Sequence, residues 1–259
     1  MRSLTPRASL FSLLAGFPLG LITPGRWGEL GRAFFLPQVN RHQVMLLAAL
    51  DKVFDLLINL LFGGIALICL VKAAFLPHAM LLPAVVLLLC FIALNALALQ
   101  PRMLRSLARM RKQTRSKKIP SLRIFTRLSA KNLAVVWLIS FLFVLTYSLQ
   151  FVILLRGLVK VSFYEGSIGA AATFFAKSLL PIAVGDLGVR EGAAAFFFAR
   201  MNLSPQAAFD ASLLLFAMNL LAPSLLGMWL VWKHRSARRT QSGKRYHSVN
   251  AARRSDANA

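Results

Sequence analysis

The sequence predicts an all-α integral membrane protein, a polytopic helical bundle with two broken or re-entrant helical elements related as an inverted repeat. Three observations support this fold class: long apolar stretches, basic segments confined to their ends, and one short motif that occurs twice. Of the 259 residues 58% are hydrophobic, and only 8 are acidic. Each charge inside an apolar stretch of such a chain therefore needs a physical reason.

Four apolar stretches are long enough to cross a membrane, since about 20 apolar residues span ~30 Å of hydrocarbon. They lie at roughly 43–71, 79–99, 133–155 and 205–232. A fifth run, at about 8–23, is too short to cross comfortably and ends in TPGRWGELGR. The sequence thus predicts four spans and one short apolar element.

Basic residues are concentrated at the ends of the spans. The net charge is +23, and 11 Lys and Arg with no acid lie between Arg102 and Lys131. A nucleic-acid binder would line one face of a soluble fold with its cations, so we expect no nucleic-acid partner. Cationic loops stay on the cytoplasmic side, which predicts a multi-pass inner (plasma) membrane protein with residues 101–131 and the C-terminus cytoplasmic. A patch that binds anionic lipid is the alternative interpretation.

The chain divides into a transmembrane domain at 1–232 and a basic cytoplasmic tail at 233–259. The tail has no apolar periodicity, so we expect it to be disordered. Cys69 and Cys90 both lie inside predicted spans and are expected to be core residues rather than a disulfide or a metal pair. We expect no metal and no cofactor.

One motif, P-x3-G-[DE]-L-G followed by an arginine, occurs at 24–32 and again at 181–190. The predicted topology puts the first copy on the cytoplasmic side and the second after a span that emerges outside. Residues 160–203 make zero or two net crossings, and we favour a re-entrant pair of half-helices. A capping box at Ser162 and Glu165 and an N-cap at Ser204 mark the helix starts.

Charged residues cluster at both breaks: Arg26, Glu29 and Arg32 in the first copy, and Asp186, Arg190 and Glu191 in the second. Broken, oppositely oriented elements are typical of inverted-repeat transporters, whose sites lie where helices unwind near the midplane. Amides at a half-helix start, together with an arginine, can hold a phosphate or carboxylate. The alternative is a buried ion pair that only shapes the break.

A third charged cluster lies inside the 43–71 span. Asp51, Asp55 and Asn59 follow an i, i+4, i+8 pattern and form one polar stripe, while Lys52 can reach Asp55 at i+3. A stripe that faces lipid would be very unfavourable, so it is expected to face the bundle interior. Contact with a cation or headgroup and a purely structural network are both open interpretations.

The segments TPGRWGELGR, DKVFD and LPIAVGDLGVREG together resemble the lysylphosphatidylglycerol synthase transmembrane region, also called the flippase-like family. The similarity runs from about Pro24 to Trp232. It implies a bacterial or archaeal membrane protein that moves or presents a lipid between leaflets. In the namesake enzymes a soluble aminoacyl-transferase domain follows, and further spans would be expected before the first motif.

These observations predict a lipid transporter of the flippase type rather than an enzyme, because the sequence has no GxSxG, HExxH, P-loop or Cys/His cluster. The expected partners are membrane lipids with an anionic or otherwise charged headgroup, and a soluble transferase or a second copy of the chain. The alternatives are a membrane subunit of a split lipid-modifying enzyme, similar to aminoacyl-phospholipid synthases, and an accessory scaffold in envelope lipid or glycan biosynthesis. The predicted substrate-binding residues are Arg26, Glu29, Arg32, Asp51, Asp55, Asp186, Arg190 and Glu191.

The topology can be tested by cysteine accessibility in intact cells. A cysteine introduced at position 116 should be labelled by a membrane-impermeant reagent only after lysis, whereas one at position 160 should be labelled from outside. Labelling of position 116 in intact cells would contradict the predicted orientation.

Overall fold

The computed structural model describes residues 5–23, 27–35, 41–100, 129–180 and 187–233, and no strand occurs among them. The α-helices are α1 Pro6–Ile22, α2 Arg41–Lys72, α3 Leu81–Ala98, α4 Ala130–Leu158, α5 Phe163–Leu179, α6 Val189–Arg200 and α7 Pro205–Phe216. Two 3₁₀ helices, Trp27–Phe35 and His78–Met80, precede α2 and α3. Most of the predicted basic segment at 101–131 and of the tail at 233–259 lies outside the described residues.

Four helices of this described part are long and apolar enough to cross a membrane. They cover Val44–Lys72, His78–Leu97, Ala130–Leu158 and Pro205–Lys233. These are the four stretches that the sequence predicts, and the all-α polytopic fold class is confirmed. The fifth run forms α1, which has 17 residues. At 1.5 Å per residue α1 is about 25 Å long, shorter than the hydrocarbon core.

The first helical hairpin consists of α1 and the 3₁₀ helix Trp27–Phe35. Near its open end the Phe11 and Phe35 rings meet edge to face at 6.2 Å, and the Ser12 hydroxyl donates to the Arg32 carbonyl over 2.7 Å. Near its tip the Gly28 amide donates to the Thr23 hydroxyl over 2.6 Å. The two arms are therefore antiparallel. The 3₁₀ arm has 9 residues, although such helices seldom exceed three or four residues.

The second helical hairpin consists of α5 and α6. The capping box of Ser162 and Glu165 starts α5, and Gly188, at a φ of 87°, immediately precedes α6. That φ is one that glycine adopts without the steric cost of a Cβ. The Phe198 ring lies against Gly169 near the open end, so these arms are antiparallel too. Antiparallel arms bring the chain back to the side from which it came, which holds for a re-entrant pair and for two full crossings alike, so the re-entrant interpretation stays a prediction.

The two hairpins approach α2 from its opposite ends. Arg41, at the start of α2, lies over the Phe34 ring of the first hairpin at 5.7 Å. Leu70 and Val71, at the other end of α2, share an apolar cluster with Phe197 and Met201 of the second hairpin. The tips of the hairpins consequently point toward one another along α2. This is the opposed arrangement expected of the two motif copies.

The last span contacts both hairpins and is interrupted by a π-helical turn. After α7 it continues through a π-helical turn at Ala217–Leu221, just before Pro223, which cannot donate a backbone hydrogen bond. Further on, the Gly227 backbone lies directly against the Leu14 carbonyl of α1. That carbonyl lacks its helical partner because residue 18 is a proline. Small residues of this kind let membrane helices approach closely.

Gly227→Ala should loosen the contact between the first hairpin and the last span. A Cβ at position 227 would overlap the Leu14 carbonyl, so one helix must shift, at a cost of about 1–3 kcal/mol. We expect a lower melting temperature in detergent. Gly157→Ala is the matched control, because a Cβ there meets nothing within 4 Å. Equal melting temperatures of the two variants would contradict the described contact.

Candidate functional site

Charged residues of the first hairpin meet charged residues of α2, and we call Glu29, Arg32, Asp51, Lys52 and Asp55 the α2 charge cluster. The Lys52 ammonium lies 2.6 Å from a Glu29 carboxylate oxygen. The Arg32 guanidinium lies 4.0 Å from the Asp51 carboxylate. Two ion pairs of opposite polarity therefore join the 3₁₀ arm to α2, and each partner compensates a charge that would otherwise be costly in the bilayer.

The cluster lies inside a membrane span. Asp51 and Asp55 follow Val44, the first residue of that span, by about 10 and 16 Å along the helix axis. The Ser140 hydroxyl of α4 lies 3.4 Å from Asp51 and within hydrogen-bonding reach of Asp55. Lys177 of the second hairpin is close enough to interact electrostatically with Asp55. Asp55 thus lies between the α2 charges that pair with the first hairpin and a charge of the second hairpin.

A second group, which we call the Arg190 cluster, comprises Tyr147, Arg190, Glu191 and Ser212. The Arg190 guanidinium pairs with Glu191 at 2.6 Å. Its Nε donates to the Ser212 hydroxyl over 2.8 Å, one terminal nitrogen donates to the Tyr147 hydroxyl over 2.7 Å, and the other to the Ser212 carbonyl over 2.9 Å. Every nitrogen of the guanidinium is engaged, so α4, α6 and α7 are joined at one point.

Glu191 also holds the start of α6. One carboxylate oxygen accepts from the Gly188 amide over 2.8 Å, and the other accepts from Arg190 and from the Ser212 hydroxyl. The capping interaction predicted for a helix start is therefore made by a residue that also forms the ion pair. The sequence G-V-R-E thus builds the helix start and the charge cluster from the same four residues.

The two clusters differ in their access to ligand. The side chains of Arg190 and Glu191 are 3% and 1% exposed, whereas those of Arg32 and Asp51 are 28% and 44% exposed. A ligand that binds Arg190 would first have to break hydrogen bonds that are shielded from solvent. The ion pairs of the α2 charge cluster are partly open, so a ligand can reach them without first breaking a buried network.

The structure brings together most of the predicted site residues. Glu29, Arg32, Asp51 and Asp55 lie in one cluster, and Arg190 and Glu191 in the other; Arg26 and Asp186 lie outside the described residues. The sequence predicts that Lys52 pairs with Asp55. In the structure Lys52 instead forms its ion pair with Glu29, at 2.6 Å. A spacing rule within one helix finds neighbours on that helix and misses partners on another segment.

Sequence reasoning missed Ser140, Tyr147, Lys177 and Ser212. The signal was present, because each is a polar residue in a mainly apolar helix. Polar side chains in membrane helices frequently hydrogen-bond between helices. Within the described residues, no group of three or more His, Cys, Asp and Glu could hold a metal ion. The arrangement of opposite charges is suited to binding charged groups.

Arg190→Ala should reduce the amount of folded protein several-fold, because it leaves the buried Glu191 carboxylate unpaired at a cost of about 3–5 kcal/mol. Yield and melting temperature in size-exclusion assays measure the effect. Arg190→Met combined with Glu191→Gln removes both charges and should recover much of the yield. A stable Arg190→Ala protein that has lost only lipid binding would instead support direct headgroup contact.

Comparison with known proteins agrees with this architecture. No match was found among curated proteins or among solved structures. The sequence model of one family, described as the lysylphosphatidylglycerol synthase TM region, matches residues 2–227. The match includes both hairpins, both charge clusters and nearly all of the last span. This chain belongs to the lysylphosphatidylglycerol synthase TM region family.

Proposed function

We propose that this protein is a lipid transporter of the flippase type. In this proposal the α2 charge cluster binds the charged headgroup of a membrane lipid while the acyl chains stay in the bilayer. The observation that carries it is a set of partly accessible opposite charges inside a membrane span, between two hairpins that approach from opposite ends. The family supports an association with lipid modification or transport.

The proposed chemistry is an exchange of ion-pair partners. A headgroup phosphate replaces Asp51 as the partner of Arg32, which presents a planar fork that suits two phosphate oxygens. A cationic group on the headgroup, where one is present, meets the Asp51 or Asp55 carboxylate. With a zwitterionic headgroup the cationic group pairs with the displaced Asp51 carboxylate, so this exchange leaves no isolated charge in the bilayer. When the lipid leaves, the original pairs form again.

The Arg190 cluster has a different role in this proposal. Its burial and its complete set of hydrogen bonds favour a positioning function, in which Arg190 and Glu191 hold the second hairpin against α4 and α7. Contact of these two residues with the headgroup stays a prediction that the Arg190 variants above address. Glu29, Arg32, Asp51 and Asp55 are the residues proposed to contact the headgroup.

Reconstituted vesicles provide the direct test. Purified protein is incorporated into vesicles that contain a trace of fluorescent lipid, with anionic, zwitterionic and neutral headgroups tested in turn. A membrane-impermeant reductant then bleaches only the outer leaflet. We expect the protected fraction to fall below that of protein-free vesicles for at least one charged headgroup. Protection equal to that of protein-free vesicles for all headgroups would contradict transport.

Arg32→Gln should lower the transport rate by at least about tenfold, because a charged hydrogen bond to the headgroup is lost. Folded yield and melting temperature are measured as well, because the variant leaves Asp51 without its ion-pair partner inside the span. Arg41→Gln is the matched control, because Arg41 is an exposed cation over Phe34 outside the cluster. Transport by Arg32→Gln at the rate of Arg41→Gln would remove Arg32 from the proposed site.

The family description supports a second candidate, the membrane subunit of a split lipid-modifying enzyme. The two candidates differ in what a gene deletion changes. Loss of a modified lipid from total membrane extracts favours the enzyme subunit. An unchanged lipid composition with an altered distribution between leaflets favours the transporter. Purification of the chain from its native membrane tests the soluble transferase and the second copy as partners.

A further inference from the structure

A cavity of about 390 Å³ lies at the corner between α4 and α5, far from the α2 charge cluster along the bundle. It is lined by Arg156, Val159, Lys160, Val161, Ser162 and Glu165. Its two cations are exposed, and within the described residues neither makes a hydrogen bond or an ion pair. We propose that this corner binds the phosphate of an anionic phospholipid at the membrane face opposite the basic segment.

The cavity lies at the depth of lipid headgroups. Helix α4 has 29 residues, so its length of about 43 Å exceeds the ~30 Å hydrocarbon core and its end extends into the headgroup region. Phe163 and Tyr164, beside the cavity, are 51% and 68% exposed, and exposed aromatic residues commonly mark the interface. A phospholipid of the adjoining leaflet therefore presents its phosphate at this level.

The charge of the lining favours an anion. The only carboxylate in the lining, that of Glu165, accepts hydrogen bonds from the Ser162 amide and hydroxyl over 3.2 and 2.7 Å. One oxygen of Glu165 is therefore held in the capping box, and the two cations against this one carboxylate leave the lining with a net positive charge. The side-chain donors of Arg156 and Lys160 stay available for a ligand. Arginine and lysine donors form short charge-assisted hydrogen bonds with phosphate oxygens.

The location of these cations also needs an explanation. Helix α4 begins at Ala130, beside the basic segment, and crosses once, so Arg156 and Lys160 lie on the opposite face. Basic residues are depleted from the non-cytoplasmic side of membrane proteins, and this face is predicted to be that side. Val161 is buried in the apolar core with Phe174 and Phe198, which holds the connection between α4 and α5 in place. A bound phosphate would compensate the two fixed cations.

This site is independent of the proposed transport, and its test measures binding alone. Purified protein in nanodiscs of phosphatidylcholine with a minor fraction of phosphatidylglycerol is analysed by native mass spectrometry for retained lipid. Arg156→Gln combined with Lys160→Gln should reduce retained phosphatidylglycerol by at least about tenfold, because the charge-assisted hydrogen bonds of both cations to the phosphate are lost. Glu165→Gln, which removes a nearby negative charge, should increase it.

The matched control is Lys72→Gln combined with Arg200→Gln. Both residues are exposed at the same face, but Arg200 already lies over the Phe196 ring at 5.5 Å and neither lines the cavity. The control should retain phosphatidylglycerol as the unmodified protein does. Equal losses in the two double variants would show a general surface charge effect and overturn the proposal. Binding of inorganic phosphate without retained lipid would identify free phosphate as the ligand and overturn the lipid assignment.

Discussion

Hydrocarbon offers no hydrogen bonds, so every polar group at the inner end of a membrane hairpin has to be satisfied by protein. Both hairpins of this protein carry polar groups of this kind. The span that follows each hairpin supplies hydrogen-bond or ion-pair partners for them. Helix α2 supplies Asp51 and Lys52 to the first hairpin, and α7 supplies Ser212 to the second. Helix α4 completes both groups, through Ser140 in one and Tyr147 in the other. The arrangement of the spans follows from these contacts.

The same physical constraint has two different solutions in the two hairpins. In the second, the arginine and the carboxylate are adjacent in sequence and buried, and the carboxylate also caps a helix. In the first, the charges belong to separate segments, and their ion pairs are partly exposed. The 3₁₀ helix of the first hairpin has weaker hydrogen-bond geometry than an α-helix. The two hairpins therefore share the motif, but its charged side chains are accessible to a ligand only in the first hairpin.

Close approach of backbones, rather than burial away from water, holds the first hairpin against the last span. Helices in a bilayer gain little hydrophobic energy from contact, because lipid tails are as apolar as their side chains. Pro18 leaves the Leu14 carbonyl without a helical donor, and Gly227 allows the last span to cover it. On the second hairpin, large aromatic residues dominate instead, with Phe151, Phe174 and Phe198 in one cluster. Their dispersion contacts depend on close fit.

The sequence by itself determined the fold class, the four spans, the short fifth run, the capping box at Ser162 and the family. These features depend on composition, hydrophobic length and local spacing, which are properties of neighbouring residues. Only the tertiary structure decided the partners of the charges. Lys52 pairs with Glu29, which lies 23 positions away in the sequence, and Arg190 donates a hydrogen bond to Tyr147, which lies 43 positions away. No rule based on local spacing covers such separations in sequence. Accessibility was also decided in three dimensions, because Arg32 and Arg190 follow the same motif and yet the first is partly exposed and the second is buried.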